Sequence, residues 1–478
     1  MLRRALPAGV TIVGAAAVLR AVFHPWYLNY DARYALLWSR DVWTGHLPEY
    51  EADFAPTPKP LQALVSSIGL PFGDHADDVM TWVVLLSLGA LVWLVFLLGT
   101  RLFDTPWVGV VAALVVVSRP VILRDTLLAY QDIPFAALVV GAVLLEAGRP
   151  KRGVPVLVVL GVAGLLRPEA WVLAGLYWLY LWPDSSPRRR VALATLVAAA
   201  PILWALTDLI VTGDPLHSLH GTADLAEENE RRRSVTQVPR WGAQYLAYTL
   251  REPLILGVPV GLTFAWLYRR DRRSALPLVV AAVMLAVFAI GPIFGLPLIG
   301  RYVRTPAVLL ALFYGLAVCG WLLLPHGTRE RRLWTAIGAL ALLASLVFVP
   351  WKQADMLRGL DRRFELDGRL YADLREAGKA PAVRRAFDAC GSLSTAEHRP
   401  IPYIRFWLDG DPGSVGTIAK HASPLSDLLL VPRSARNVRR FYRTNFPRRT
   451  ARRPPGWRTL YANRSWKVYA SPGGCAAS

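Results

Sequence analysis

Long apolar stretches separated by short charged turns dominate the first 350 residues of the chain. Residues 80–99, MTWVVLLSLGALVWLVFLLG, are typical, because roughly 20 consecutive apolar residues form a helix long enough to cross a bilayer. We predict membrane-spanning helices wherever such stretches occur, and accept some that are shorter. Nine of them lie at residues 7–27, 79–99, 105–119, 132–147, 191–212, 253–268, 275–296, 305–324 and 334–350.

Residues 154–182 form a further apolar stretch, which is too long for one ordinary span. The sequence LLRPEAW interrupts it with Arg167, Pro168 and Glu169, which break both the hydropathy and the geometry of a helix. We interpret the stretch as a hairpin of two short helices. The predicted total is then about eleven transmembrane helices.

The distribution of Lys and Arg tests this topology, since short cytoplasmic loops of membrane proteins are enriched in both. With the N-terminus inside, the short cytoplasmic segments hold 16 basic residues and the short outer connections hold five. A single helix over 154–182 would place RPKR (149–152) and RRR (188–190) on opposite faces. The hairpin is therefore favoured, in a multi-pass protein of the cytoplasmic membrane.

Composition agrees with a membrane protein, because 54% of the 478 residues are hydrophobic and only 18% are charged. The net charge of +20 would suggest nucleic acid as the partner of a soluble protein. Here part of the positive charge lies in the short cytoplasmic segments. Much of the remaining net charge lies in residues 351–478, which hold 24 basic and 11 acidic residues. We predict membrane lipids as partners, and no nucleic acid.

The topology divides the chain into a transmembrane module, 1–350, and a C-terminal α/β domain on the outer side, 351–478. The module has two long outer loops, at 28–78 and 213–252. In the C-terminal domain we predict a helix over 361–388 and strands at 401–408, 427–432 and, as a hairpin, 457–470. Cys390 and Cys475 form a disulfide there, or remain two free thiols.

The first outer loop contains NYDARYALLWSRDVWTGHLPEYEADFAPTPKPLQ (29–62), which places charges at the bilayer surface among Tyr and Trp. Asp31 in DARYA and Lys59 in KPL resemble the first periplasmic loop of GT-C membrane glycosyltransferases. The likeness is to bacterial lipid A aminoarabinose transferases and to relatives of protein O-mannosyltransferases. Ala32 and Pro58 stand where these proteins often have acidic residues, so the acceptor stays open.

Three further motifs extend the resemblance over residues 1–325. Asp132 in QDIPFAAL resembles the second acidic position of the family, at the outer end of the fourth span. RYVRTP (301–306) resembles its late arginine–tyrosine motif, and LLRPEAW (165–171) resembles a break between short helices in mannosyltransferase-like members. The four motifs occur in the expected order on one predicted face of the membrane.

The resemblance implies an inverting transferase that takes a sugar from a polyprenyl phosphate, its lipid-linked co-substrate, on the outer face. Negative charge grows on the leaving phosphate, which cations and other donors at the bilayer surface stabilise. The candidate phosphate-binding residues are Lys59, Arg301, Tyr302 and Arg304.

The acceptor hydroxyl must lose a proton when it attacks the sugar, which requires a carboxylate near the phosphate. We expect Asp31 to be this base and Asp132 to orient it or the acceptor. Each has a structural alternative, since Asp31 and Asp132 also suit helix N-termini. Arg167 and Glu169 form a structural ion pair at the hairpin break or line the site.

Lys59 and the two arginines also have a structural alternative, because basic side chains at the bilayer surface commonly snorkel or contact lipid headgroups. No metal ligands are assigned, and dependence on a divalent metal is left open. The acceptor is a glycan, a lipid or a protein. Two other functions remain: a flippase for lipid-linked glycans, and a non-catalytic assembly subunit of the GT-C type.

Overall fold

The structure is a computed structural model that describes residues 2–23, 26–251, 254–269, 271–419, 425–434 and 453–473, with side chains from residue 7 onward. The helices in these residues are α1 (Leu2–Val22), α2 (Tyr30–Trp43), α3 (Pro60–Ser66), α4 (Ala76–Phe103), α5 (Pro106–Val117), α6 (Pro120–Leu127), α7 (Asp132–Gly148), α8 (Val154–Gly164), α9 (Glu169–Leu181), α10 (Pro187–Thr212), α11 (His217–Glu228), α12 (Val238–Leu250), α13 (Leu254–Tyr268), α14 (Arg272–Ile290), α15 (Arg304–Cys319), α16 (Arg329–Lys379), α17 (Pro381–Cys390) and α18 (Ile401–Trp407). Short 3-10 helices lie at Ser67–His75, Trp182–Asp184, Val235–Gln237, Gly291–Phe294, Gly300–Val303 and Gly320–Leu323.

Each of the eleven predicted apolar segments contains a helix, and the hairpin over 154–182 is present as α8 and α9. Five helical segments of the described chain are individually long and apolar enough to cross a bilayer, and two bent helix pairs raise this number to seven. The five are Pro60–Phe103, Pro187–Thr212, Arg272–Phe294, Gly300–Leu323 and Arg329–Lys379. The predicted fold class, a helical polytopic membrane protein, is therefore confirmed.

Helix α15 lies at the centre of the membrane module, and all of its residues are buried. Helices α4, α5, α7, α13 and α14 pack around it. Gly261 of α13 allows a close approach, since a Cβ there would lie 1.7 Å from the carbonyl oxygen of Phe313. Small residues of this kind let helix backbones meet in membrane proteins. The central position fixes the N-terminal end of α15, just after Arg301.

Helix α16 is a single helix of 51 residues, which continues through Pro350 to Lys379. The predicted boundary between the two domains therefore falls inside one helix. At 1.5 Å per residue the helix is roughly 75 Å long, about two and a half times the thickness of a bilayer core. Its second half carries the C-terminal domain on the same face of the membrane as Asp31, which we call the site face.

A five-stranded sheet forms the rest of the C-terminal domain, in the order β2-β1-β3-β5-β4. Strand β1 is parallel to its two neighbours, and the other pairs are antiparallel. The strands are β1 (Leu393–Thr395), β2 (Val415–Thr417), β3 (Leu428–Pro432), β4 (Arg458–Ala462) and β5 (Trp466–Ala470).

Two of the strand predictions are confirmed and one is wrong. Strand β3 lies in 427–432, and β4 and β5 form the hairpin of 457–470. Residues 401–407, predicted as a strand, form helix α18, which is buried nearly all round. A short buried segment carries no periodicity that separates strand from helix. Cys475 lies outside the described residues, so the bridge to Cys390 stays a prediction.

Helix α2 of the first outer loop packs into the core of the C-terminal domain. Trp38 belongs to the same buried cluster as Tyr403 of α18. The buried guanidinium of Arg405 donates hydrogen bonds to Asp41 (2.6 Å) and to Glu49 (3.1 Å). Buried charges of this kind are costly to separate. The C-terminal domain thus holds α2, and with it Asp31, in a fixed position.

Candidate active site at the site face

Charged residues from four separate segments meet at the site face of the membrane module. They form what we call the site cluster: Asp31, Lys59, Asp132, Arg167, Glu169 and Arg301. All six were predicted from the sequence as site or site-lining residues. The structure brings them into one chain of ion pairs.

Asp31 lies in the first turn of α2, where the backbone N–H groups of a helix favour negative charge. Asn29 caps this helix, and its side-chain oxygen accepts hydrogen bonds from the N–H groups of Asp31 (2.8 Å) and Ala32 (3.1 Å). The Asn29 N–H donates to the carbonyl oxygen of Leu128 (3.0 Å). The helix start that carries Asp31 is therefore tied to the loop before α7.

Lys59 directly precedes Pro60, the first residue of α3. A residue before proline is restricted to extended conformations, and Lys59 has φ −136° and ψ 107°. Its Nζ atom lies 3.9 Å from Asp31 Oδ2, too far for a hydrogen bond. The Lys-Pro sequence thus presents an ammonium group to Asp31 with donor capacity to spare.

Arg301 lies in the 3-10 turn before α15, and one of its nitrogens, Nη1, faces two carboxylates. It donates a hydrogen bond to Asp31 Oδ2 at 3.1 Å and lies 3.7 Å from Asp132 Oδ2. The guanidinium stacks on the ring of Tyr130, with 4.5 Å between its carbon and the ring centroid. Arg301 therefore links the helix of Asp31 to the helix of Asp132.

Asp132 begins α7 and is 2% exposed. Its Oδ1 accepts a hydrogen bond from Arg167, which also donates to Glu169 Oε1 at 2.5 Å. Asp132 Oδ2 is buried and has no hydrogen-bond partner among the described residues. The Arg167–Glu169 pair stabilises the break between α8 and α9, and at the same time it fixes the orientation of Asp132.

The electrostatic balance keeps Asp31 ionised. Burial raises the pKa of Asp31, but the positive charges of Arg301 and Lys59 outweigh it and hold the pKa below its ordinary value. Burial lowers the pKa of Lys59 to about 8, although the charge of Asp31 opposes this. At neutral pH the cluster therefore contains charged Asp31 and mostly charged Lys59.

Arg304 is not part of the site cluster, although the sequence placed it among the phosphate-binding candidates. It donates hydrogen bonds to Asp125 Oδ2 (3.0 Å) and Thr249 Oγ1 (2.5 Å). Its side chain is 5% exposed, against 22% for Arg301. These contacts join the start of α15 to α6 and α12.

The overall structure is similar to solved structures of membrane enzymes. One is ArnT from Cupriavidus metallidurans bound to undecaprenyl phosphate, with a TM-score of 0.59, 14% identity, and coverage of 98% of this chain and 99% of that one. ArnT in the apo state gives a TM-score of 0.52 at 14% identity, over 98% of each chain. The Archaeoglobus fulgidus oligosaccharyltransferase, a complex with Zn and sulfate, gives 0.52 at 14% identity, over 84% of this chain and 62% of that one.

This chain has the GT-C fold. The resemblance predicted from the short motifs is thereby confirmed at the level of the fold, and it extends to the C-terminal domain, for which the sequence offered no match. No protein-family model and no curated protein matches the sequence.

Two residues beside the site cluster were not predicted from the sequence as site residues. Tyr130 stacks on Arg301, as described above. Arg231 follows α11, and burial lowers its pKa, opposed by the charge of Asp31. The sequence ENERRR around Arg231 is typical of a solvated helix and contains nothing that singles out one arginine. Glu230, with φ 49°, lies two residues beyond the end of α11 and turns the chain there.

With Arg231 included, the site has four cations and three carboxylates. This surplus of positive charge favours an anionic ligand. Arg231 also lines a cavity of about 690 Å³ together with Ile293, which is 66% exposed. The cavity thus has a basic wall beside an exposed apolar side chain.

Tyr302 was predicted as a phosphate-binding residue, and its ring stacks on Arg167 with 4.6 Å between the guanidinium carbon and the ring centroid. Tyr302 and Tyr130 therefore each contact one arginine of the site cluster. The structure places Tyr302 in the site through Arg167.

The C-terminal domain also lies close to the site cluster. His398 stacks on Phe54 with 4.3 Å between ring centroids, and lies 5.6 Å from the ring of Tyr30, the neighbour of Asp31. Burial raises the pKa of Glu397 to about 8 and lowers the pKa of His398 to about 3. Both side chains are therefore mostly neutral at pH 7, so these two residues add little charge.

Proposed function

We propose that the protein is an inverting glycosyltransferase that takes a sugar from a polyprenyl-phosphate donor. The observation that carries the proposal is the site cluster, in which Lys59 and Arg301 approach the same oxygen of Asp31 at the membrane surface. The GT-C fold, shared with an ArnT structure bound to undecaprenyl phosphate, supports it. Sugar transfer from a lipid phosphate requires the phosphate and an ionised carboxylate to lie at the same depth in the membrane.

The donor phosphate would bind to Lys59, Arg301 and Arg231. As the bond between the phosphate oxygen and the anomeric carbon breaks, the phosphate changes from a diester to a monoester and its negative charge grows. Charge-assisted hydrogen bonds from fixed cations stabilise this change more in the transition state than in the ground state. Arg304 has no part in this step, because its side chain is 5% exposed and its Nε and Nη1 atoms donate to Asp125 and Thr249.

Asp31 would act as the base. A phosphate that binds Lys59 and Arg301 competes with Asp31 for these cations and leaves the carboxylate free to accept a proton. The acceptor oxygen then bonds to the anomeric carbon on the face opposite the phosphate, and its proton moves to Asp31. A single displacement inverts the anomeric centre and needs no second nucleophilic carboxylate.

Asp132 would orient Arg301 and the acceptor, because its Oδ2 atom is buried near Arg301 and has no hydrogen-bond partner in the described chain. Arg167 and Glu169 would hold Asp132 in place. The acceptor would be a glycan, a lipid or a protein at the outer face of the cytoplasmic membrane, with the N-terminus of the chain inside.

The test uses the full-length protein in nanodiscs, a panel of labelled undecaprenyl-phosphate sugars, and an extract of the native cell envelope as the acceptor pool. We expect sugar transfer by the wild type and a loss of about 100-fold or more for Asp31→Asn, as for removal of a general base. Asp78→Asn, a carboxylate of the same loop outside the site cluster, is the matched control. Normal transfer by Asp31→Asn would contradict the proposed mechanism.

Two other results would exclude the function itself, and the first of them is measured with the protein in liposomes. A wild type that moves the lipid-linked sugar across a liposome bilayer without forming product is a flippase. A wild type that neither transfers nor moves the sugar alone, but is required for transfer by a second protein, is an assembly subunit.

A further inference from the structure

The loop of residues 128–131 joins the elements that carry the site cluster. Leu128 accepts a hydrogen bond from the N–H of Asn29, which caps the helix of Asp31. Tyr130 N–H donates to the carbonyl oxygen of Asp125 at 2.8 Å. Ala129 adopts a left-handed conformation, with φ 56°, and so turns the chain sharply between these two contacts. The position of Tyr130 is thus determined by backbone contacts on both sides.

The Arg301 guanidinium lies over the ring of Tyr130, with 4.5 Å between the guanidinium carbon and the ring centroid. A guanidinium stacked on an aromatic ring keeps its N–H groups at the edges, where they remain able to donate. On the other side of the arginine, Nη1 faces Asp31 and Asp132.

Arg304 shows the alternative way to fix an arginine. Its Nε and Nη1 atoms donate hydrogen bonds to Asp125 and Thr249 inside the protein. Arg167, the other arginine of the site cluster, again stacks on a tyrosine, Tyr302. Contact with a ring restrains a flexible side chain without using the N–H groups that a phosphate needs.

We propose that Tyr130 is a positioning residue, whose ring holds the Arg301 guanidinium in the orientation that binds the phosphate of the donor. The inference rests on the proposed function, because it assigns Tyr130 a part in the same site. The phenol ring is the group that acts, so phenylalanine should replace tyrosine and an aliphatic side chain should not.

The experiment is a double-mutant cycle on full-length protein in nanodiscs, with undecaprenyl phosphate as the probe. The variants are Tyr130→Phe, Tyr130→Leu, Arg301→Ala, and Tyr130→Leu combined with Arg301→Ala. We expect Tyr130→Leu to weaken binding by about 2- to 30-fold, the range of a cation–π contact, and Tyr130→Phe to restore most of the affinity. In the Arg301→Ala background, Tyr130→Leu should have no further effect.

Three results would overturn the inference: equal losses in Tyr130→Phe and Tyr130→Leu, which would assign the role to the hydroxyl; additive losses in the cycle; or wild-type binding by Tyr130→Leu. The same cycle is read as melting temperature in detergent without any ligand, where stacking predicts non-additive shifts and additive shifts count against it. The wild type could fail to bind undecaprenyl phosphate while the melting shifts are non-additive. This pair of results would contradict the proposed function and the role of Tyr130 in phosphate binding, and would support only the contact between Tyr130 and Arg301.

Discussion

Arg301 and Arg304 are three residues apart in the chain, and the structure gives them opposite surroundings. Arg301 lies near two carboxylates, one of which also contacts Lys59 and the other Arg167. Its guanidinium lies over an aromatic ring, and its side chain is 22% exposed. Arg304 is 5% exposed and its hydrogen bonds are made to Asp125 and Thr249 within the protein. The two surroundings follow from the position of each residue: Arg301 lies in the 3-10 turn before α15, and Arg304 is the first residue of α15.

The difference shows what separates a candidate binding arginine from a structural one at a membrane surface. Arg405 resembles Arg304: its side chain is fully buried between Asp41 and Glu49. An arginine with matched buried partners stabilises the fold, whereas one that retains exposed donors beside other cations can bind an anion. The predictions below test this distinction.

The largest effect should come from Arg301→Ala. Removing one donor to a developing negative charge costs about 100- to 1,000-fold in kcat. We expect a loss of this size in sugar transfer, with a melting temperature in detergent closer to the wild type than that of Arg304→Ala. Transfer by Arg301→Ala within a few-fold of the wild type would remove Arg301 from the site.

Arg304→Ala should instead destabilise the protein. It leaves the fully buried Asp125 with Arg124 as its remaining ionic partner, at 2.5 Å. Breaking a buried ion pair costs about 3 kcal/mol or more in free energy of unfolding. Because Asp125 keeps its contact with Arg124, we expect a loss near the lower end of this range. Melting temperature is the measurement, and Asp125→Asn in the same background should recover part of it. A stable Arg304→Ala protein that fails to bind undecaprenyl phosphate would reverse the comparison.

The pH dependence of donor binding should report Lys59. Burial lowers the pKa of Lys59 to about 8, so below this pH the ammonium group is charged and ready to bind a phosphate. Above it, binding must also take up a proton, and the dissociation constant should rise by up to about tenfold per pH unit. Lys59→Arg, which stays charged, should abolish the break near pH 8. An unchanged break in this variant would assign it to another group.

Asn29→Ala should have the smallest effect. It removes the side-chain cap of α2 and the hydrogen bond from Asn29 Nδ2 to the Leu128 carbonyl oxygen (2.5 Å), while the backbone N–H of residue 29 still donates to Leu128. The cost is about 1 kcal/mol in stability. We expect a lower melting temperature and a severalfold slower transfer, because Asp31 loses the support of its helix start. Asn29→Asp keeps the acceptor for the N–H groups of Asp31 and Ala32 and should recover most of the loss. Equal effects of the two variants would mean that the cap is not what matters.

Much of the membrane module was predictable from the sequence, because a bilayer forces apolar residues into long helices and leaves a strong signal. Helix α16 shows the limit: the predicted apolar span ends at residue 350, but the helix continues to Lys379. Helix α18 shows another, since packing against α2 decides its conformation. Such tertiary contacts leave no local pattern.

Individual site residues were predictable where a residue type has few other uses at its position. Residues whose type is common at such positions were harder to predict. Asp31, Lys59, Asp132 and Arg301 lie together as the motifs suggested. Arg304 lies in the same short motif as Arg301, and tertiary contacts, such as the bond from Arg304 to Asp125, separate the two. Tyr130 lies two residues before Asp132, and this proximity to a candidate carboxylate was the one signal that pointed to it.

The measurement that tests the central claim most directly is an experimental structure of the full-length protein with undecaprenyl phosphate. The account predicts phosphate oxygens about 2.8 Å from Lys59 Nζ and from the Arg301 guanidinium, with Asp31 released from at least one of these cations. A phosphate bound elsewhere, with Lys59 and Arg301 still on Asp31, would contradict it.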